Sequence, residues 1–161
     1  MKVSVINNQK ALPISKKLIS NQVKAILMHM QILTDEICIH YVDKKSISVI
    51  HNQFFQDFSP TDCISLLYDT SSDNTNRYNF LGEIFICTEI AIEYAKKESQ
   101  SPQEEITLYL VHGLLHLIGY DDIKKEDRIK MRKQEKICLD LLSLLDLLPK
   151  DTSHQKLNTH Q

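Results

Sequence analysis

Nowhere among the 161 residues do apolar side chains run for the ~20 positions of a membrane-spanning helix, so no span is expected. The first ten residues, MKVSVINNQK, break their short apolar run at Asn7 and Asn8, too early for a signal peptide. Cysteine is sparse: Cys38, Cys63, Cys87 and Cys138 are far apart and form no CxxC pair. That spacing excludes a compact disulfide framework and points to buried free thiols in a reducing cytosol, with no zinc role expected of them. There is also no excess of either charge, the net being −2 with a pI near 6.4, so the whole-molecule field gives no pull toward nucleic acid. Internal repeats and low-complexity linkers are missing as well, which leaves one cytoplasmic domain as the expectation.

Hydrophobic residues at 42% and charged residues at 25% describe an ordinary globular chain, long enough for a real core. Lys2 to Asn7 alternates as a strand does, and residues 14–33 carry a helical apolar stripe through Ile14, Leu18, Ile19, Val23, Ile26, Leu27 and Met30. Glu36 to Val42 reads as a strand, Ser46 to Phe55 as a short helix, and Asp62 to Tyr68 and Phe80 to Thr88 as two further strands around a polar loop. A helix over about 89–99 follows. Ser101-Pro102-Gln103-Glu104 has the form of a capping box with proline at the first helical position, starting a helix that runs to about Ile118 and is apolar almost all round. A last helix spans about 123–147 and is expected to stop at Pro149, followed by a polar tail, 149–161, holding His154 and His160. The pattern predicts an α+β fold: a single domain over 1–148, a mixed four-stranded sheet and about five helices.

Residues 112–122 read HGLLHLIGYDD. His112 and His116 stand four apart, so on a helix their Cβ atoms lie about 5–6 Å apart on one face and can share an ion. Asp122 follows six residues after His116, where an unbroken helix would carry it about 9 Å onward and round to the far side. Gly119 supplies the turn that brings it back. Two imidazoles and a carboxylate suit one zinc ion per chain, with a fourth position left open for chemistry. The spacing matches a long zincin motif, but Gly113 stands where those peptidases carry their general-base Glu, which argues against a peptidase. Asp122 has a second reading as the N-cap of the last helix, in which case Asp121 or a bridging water completes the site. Tyr120 reads as a packing residue at the turn.

At these residues the chain resembles the YbeY-type metalloproteins implicated in ribosomal RNA maturation, whose signature is HGxLHLxGYDH. Pro60 to Ser65 (PTDCIS) resembles that family's PTDVLS, and Leu81 to Ile84 (LGEI) resembles its LGDI, so the likeness runs from about residue 2 to 148. Two positions depart: Asp122 replaces the third histidine, and Phe55 stands five residues before Pro60 where the family usually has arginine. The resemblance implies a zinc-dependent, single-strand-specific endoribonuclease acting in small-subunit rRNA maturation and ribosome quality control. RNA, the small ribosomal subunit and ribosomal proteins are the implied partners. It also makes Glu83 a candidate for proton transfer, since the family carries an acid there on a strand expected to approach the metal.

Phe55 feeds a different reading, a metal-stabilised assembly factor that binds without cutting. From Lys124 to Lys136 seven basic residues, Lys124, Lys125, Arg128, Lys130, Arg132, Lys133 and Lys136, face only Glu126, Asp127 and Glu135. That run is either a solvated helix face or a local RNA surface.

Overall fold

A computed structural model of the protein describes residues 1–68 and 78–150. Its elements follow the predicted order: β1 (Lys2–Asn7), α1 (Lys16–His29), β2 (Glu36–Val42), α2 (Lys44–Phe55), β3 (Cys63–Leu66), β4 (Phe80–Cys87), α3 (Thr88–Glu98), α4 (Pro102–Leu117) and α5 (Lys125–Leu144). Most of the polar loop (69–77) and of the C-terminal tail, with His154 and His160, lies outside the described residues.

The four strands form one mixed sheet in the order β1-β2-β4-β3. β1, β2 and β4 run parallel, and β3 pairs antiparallel along the outer side of β4. Alternation along each strand divides the sheet into two faces. Ile37, Ile39, Tyr41, Ile84 and Ile86 point into the main core with Ile19, Val23, Ile26 and Leu27 of α1, the apolar side of α4, and Met131, Cys138 and Leu142 of α5. On the opposite face Val42, Ile64, Leu66 and Cys87 pack under Ile47 and Ile50 of α2. This is a single-domain α+β protein, with five helices among the described residues.

Helix ends depart from expectation in instructive ways. Ser101 is the N-cap of α4, yet its side chain makes no capping bond. The start is set by Pro102, whose fixed φ suits the first turn, with Glu104 and Glu105 at the positive end of the helix dipole. α5 stops at Leu144, before Pro149, because Asp146 turns left-handed (φ 54°) while Leu147 N–H reaches back to the Leu142 carbonyl at 2.8 Å and Asp146 N–H to that of Ser143 at 3.1 Å. Aspartate tolerates that conformation better than most residues.

α4 sits tightly on the sheet at Gly113. A Cβ built there would lie 2.7 Å from Ile84 Cγ2 and 3.2 Å from Ser65 Oγ, and the Ser65 hydroxyl donates to the Gly113 carbonyl at 3.0 Å. Ser65 thus fastens β3 to the helix backbone and needs no nucleophilic role. We expect Gly113→Ala to destabilise the protein by about 1–3 kcal/mol, the usual cost of overpacking a close contact. Urea unfolding checks this, and an unchanged midpoint would show that Ile84 yields freely.

β1 is held by a charged cluster at its start. The Glu36 carboxylate accepts from Ser4 Oγ at 2.9 Å and Tyr78 Oη at 2.6 Å and pairs with Lys2 Nζ at 2.8 Å. These partners, Lys2 first, pull its pKa from 4.5 down to about 2. A carboxyl with a depressed folded-state pKa contributes its stability above the unfolded value and loses it as pH falls through the folded one. Stability should therefore decline between about pH 4.5 and 2 in the wild type, and Glu36→Gln should flatten that part of the acid-unfolding profile.

Candidate metal centre

α4 is buried on nearly every side, from Glu105 and Ile106 to Leu115 and Leu117. Only one strip stays partly open, and Leu108, His112 and His116 follow one another along it at intervals of four. The helix ends as its sequence demands: Gly119 turns left-handed (φ 103°), Tyr120 N–H bonds to the Leu115 carbonyl at 3.0 Å and Gly119 N–H to that of His116 at 3.1 Å. This reversal returns Asp122 to the histidines, with His112 Nε2 3.5 Å from Asp122 Oδ2 and His116 Nε2 3.8 Å from Oδ1. Asp122 does not cap α5, whose N-cap is Lys124 without a side-chain bond. Asp121 shapes the turn instead, its Oδ1 accepting from the N–H groups of Asp122 and Ile123.

The two rings are oriented from behind. His112 Nδ1 meets Glu135 Oε1 at 2.7 Å, and His116 Nδ1 meets the Tyr120 carbonyl at 3.1 Å. An ionised carboxylate and a carbonyl can only accept, so each Nδ1 carries the proton. In the neutral rings both Nε2 atoms then present bare lone pairs to one another, 3.0 Å apart. Two lone pairs at that distance repel unless a proton or a cation lies between them. The Glu135 carboxylate, hydrogen-bonded to the ring, holds the His112 imidazole above its ordinary pKa.

A cation answers that repulsion for all three ligands at once. Atoms bound to one tetrahedral ion at about 2.0–2.1 Å lie about 3.3–3.4 Å apart. The separations of 3.0, 3.5 and 3.8 Å bracket that spacing, so the donor set fits a zinc-like ion. All three side chains keep partial access to solvent, Asp122 most at 40%.

Two clefts open on either side of the histidines. One, of about 400 Å³, is walled by His116 and Asp122 with Phe55, His51 and Thr61. The other, of about 500 Å³, is walled by His112 and Glu135 with Thr61, Asp62 and Tyr109. Phe55, the last residue of α2, is exposed beside His51 at the mouth of the first.

Glu83 is not at this site. Ile84 faces α4, so its neighbour Glu83 faces the other side of the sheet, where it meets His40 and Tyr68. Glu135, in turn, is invisible to motif spacing, lying 23 residues from His112 within the basic run. Helix phase holds the one clue: it falls four after buried Met131 and three before buried Cys138, where a solvated acid would not sit. With Glu135 turned inward, the outer face of α5 is more basic than its composition, and Lys124, Lys125, Arg132 and Lys133 make no ion pair among the described residues.

Fold and site together define an α+β protein whose buried helix carries a histidine–histidine–carboxylate candidate metal centre. The sequence profile of the family described as Endoribonuclease YbeY matches residues 4–143, and this chain belongs to that family. Endoribonuclease YbeY of Protochlamydia amoebophila is 43% identical over 133 residues, covering 83% of this chain and 87% of the relative. That of Chlamydia felis is 39% identical over 145 residues, covering 88% and 91%. The solution structure of TM1509 from Thermotoga maritima is similar in fold, with a TM-score of 0.57 at 20% identity over 94% of this chain and 99% of that one.

If Glu135 fixes the His112 tautomer, Glu135→Gln should weaken zinc binding at this centre by about 10–100-fold, as loss of an orienting partner does elsewhere. Competition with a chromophoric chelator measures it. Undiminished affinity would mean that Glu135 contributes only packing.

Proposed function

We propose that this protein is a cytoplasmic, zinc-dependent, single-strand-specific endoribonuclease that acts in small-subunit rRNA maturation and ribosome quality control. Its working unit is residues 1–148, with 149–161 an appended tail. The observation that carries the reading is the pair of Nε2 lone pairs held face to face by Glu135 and the Tyr120 carbonyl, with Asp122 returned to close the set. Membership of the family supplies the reaction, phosphodiester cleavage in RNA.

His112, His116 and Asp122 would hold the ion. When bound, zinc supplies Lewis acidity toward a phosphoryl oxygen and lowers the pKa of a water. Glu135 keeps His112 in the tautomer that ligates, and the Tyr120 carbonyl does the same for His116. The clefts on both sides of the ligands suit an extended polymer with nucleotides flanking the reacting phosphate. The unpaired cations on α5 offer contacts to phosphates further along the strand. Gly113 weighs against a peptidase: with Ile84 Cγ2 2.7 Å from a Cβ at this position, there is no room for the glutamate that peptidases carry there. Among the described residues no helix is long and apolar enough to cross a membrane.

A second reading, an assembly factor that binds RNA or a ribosomal protein without cleavage, is favoured by one feature. Phe55 projects at the mouth of the His116 cleft where the resemblance leads one to expect arginine, so this position offers no guanidinium to a phosphoryl oxygen.

Labelled single-stranded rRNA fragments test both. The wild type should cut slowly and stop with chelator, His112→Ala should fall to the chelated background, and Phe55→Arg should raise the rate by up to about 10²–10³. Binding without cleavage by the wild type and by Phe55→Arg would establish the assembly-factor reading in its place.

A further inference from the structure

The face of the sheet turned away from α4 carries a second convergence of ligand-type side chains. Cys38 and His40 stand two apart on β2 and so point the same way, and Glu83 of β4 is the register partner of Cys38. One sulfur, one ring nitrogen and one carboxylate oxygen from these residues all lie within 4.8 Å of one another. His40 Nε2 is the meeting point, 3.2 Å from Cys38 Sγ and 3.3 Å from Glu83 Oε1.

Protons alone serve this arrangement poorly. A ring nitrogen holds either a hydrogen or a lone pair. With the hydrogen, Nε2 donates to Glu83 and leaves Cys38 only the weak acceptor role of sulfur; with the lone pair, it accepts from the thiol and confronts the carboxylate. A shared cation satisfies sulfur, nitrogen and oxygen together.

The surroundings favour occupancy. Glu83 is steadied by Tyr68, whose hydroxyl donates to Oε2 at 2.8 Å, leaving Oε1 for the cluster. The His40 ring lies flat on Phe85, centroids 4.3 Å apart and planes 10° from parallel, so its direction is fixed. A bulge sets Glu83 in place: pairing of β2 with β4 slips between Glu36 and Cys38, and Gly82 takes φ 146° with its Cβ position against the Leu66 carbonyl. His40 and Glu83 retain side-chain exposures of 14% and 25%, enough for an ion to enter. Ligands bound to a tetrahedral zinc through one sulfur, one nitrogen and one oxygen lie about 3.3–3.6 Å apart, close to the 3.2 and 3.3 Å that separate His40 Nε2 from the other two.

We propose that Cys38, His40 and Glu83 form a second metal site, selective for a zinc-class divalent cation, which ties β2 to the bulge of β4 on the face opposite the candidate metal centre. The thiolate sets the selectivity: sulfur with imidazole favours zinc or cobalt(II) over magnesium or calcium. On binding, the cation replaces the thiol proton, which passes to solvent, and the fourth position stays open to water.

Sulfur also makes the site separable from the first, whose ligands are nitrogen and oxygen alone. Full-length wild type, His112→Ala and Cys38→Ala should be titrated with cobalt(II) under reducing conditions, with folding followed by circular dichroism. The wild type should develop a near-ultraviolet thiolate-to-cobalt band that is complete by two equivalents, since both centres take up the ion. That band should persist in His112→Ala and vanish in Cys38→Ala. Glu83→Gln, which keeps the shape of the side chain, should weaken it at least tenfold and guards against a folding defect in Cys38→Ala. A folded wild type with no band, or a band that survives in Cys38→Ala, would overturn the proposal.

Discussion

The seating of α4 on the sheet governs what this protein can do. Glycine at 113 lets the helix backbone come within reach of Ser65 and Ile84, and the apolar residues around it leave no freedom to roll. A helix buried so completely has one open strip, and both histidines are on it. Their spacing, direction and partial exposure follow from that packing.

Charge is distributed to match. Carboxylates crowd the helix strip: Asp122 in front, Glu135 behind, Asp62 and Glu105 along the second cleft. This local field favours a cation and would repel a bare phosphate. The neighbouring α5 solves the second problem by its amphipathic phase, turning Glu135 inward to His112 while its lysines and arginines face solvent. One helix thereby orients His112 on one side and presents lysines and arginines to solvent on the other, although the net charge of the chain is −2.

The two faces of the sheet carry different chemistry because strand residues alternate. Ile84 packs against α4 and its neighbour Glu83 is committed to the opposite side, with Cys38 and His40. Sequence nearness to a motif strand therefore says little about nearness to the centre; a single residue of register decides it.

Much of this was legible in the chain itself. Period-two and period-3.6 patterns located the nine elements in order, and β1, β2 and the span of α4 fall where alternation, Pro102 and Gly119 put them. The trio His112, His116 and Asp122 was readable because all three lie within 11 residues and the turn between them is governed by a local rule, a glycine at positive φ. What only the tertiary structure decided depends on contacts between distant segments. Glu135 reaches His112 across the α4–α5 packing, Glu83 leaves the site because of strand register, and Cys38 finds His40 and Glu83 only after β2 and β4 pair. Local sequence fixes dihedrals and therefore elements and turns; which side chains meet across them is set by burial summed over the whole core, and no window of the sequence contains that sum.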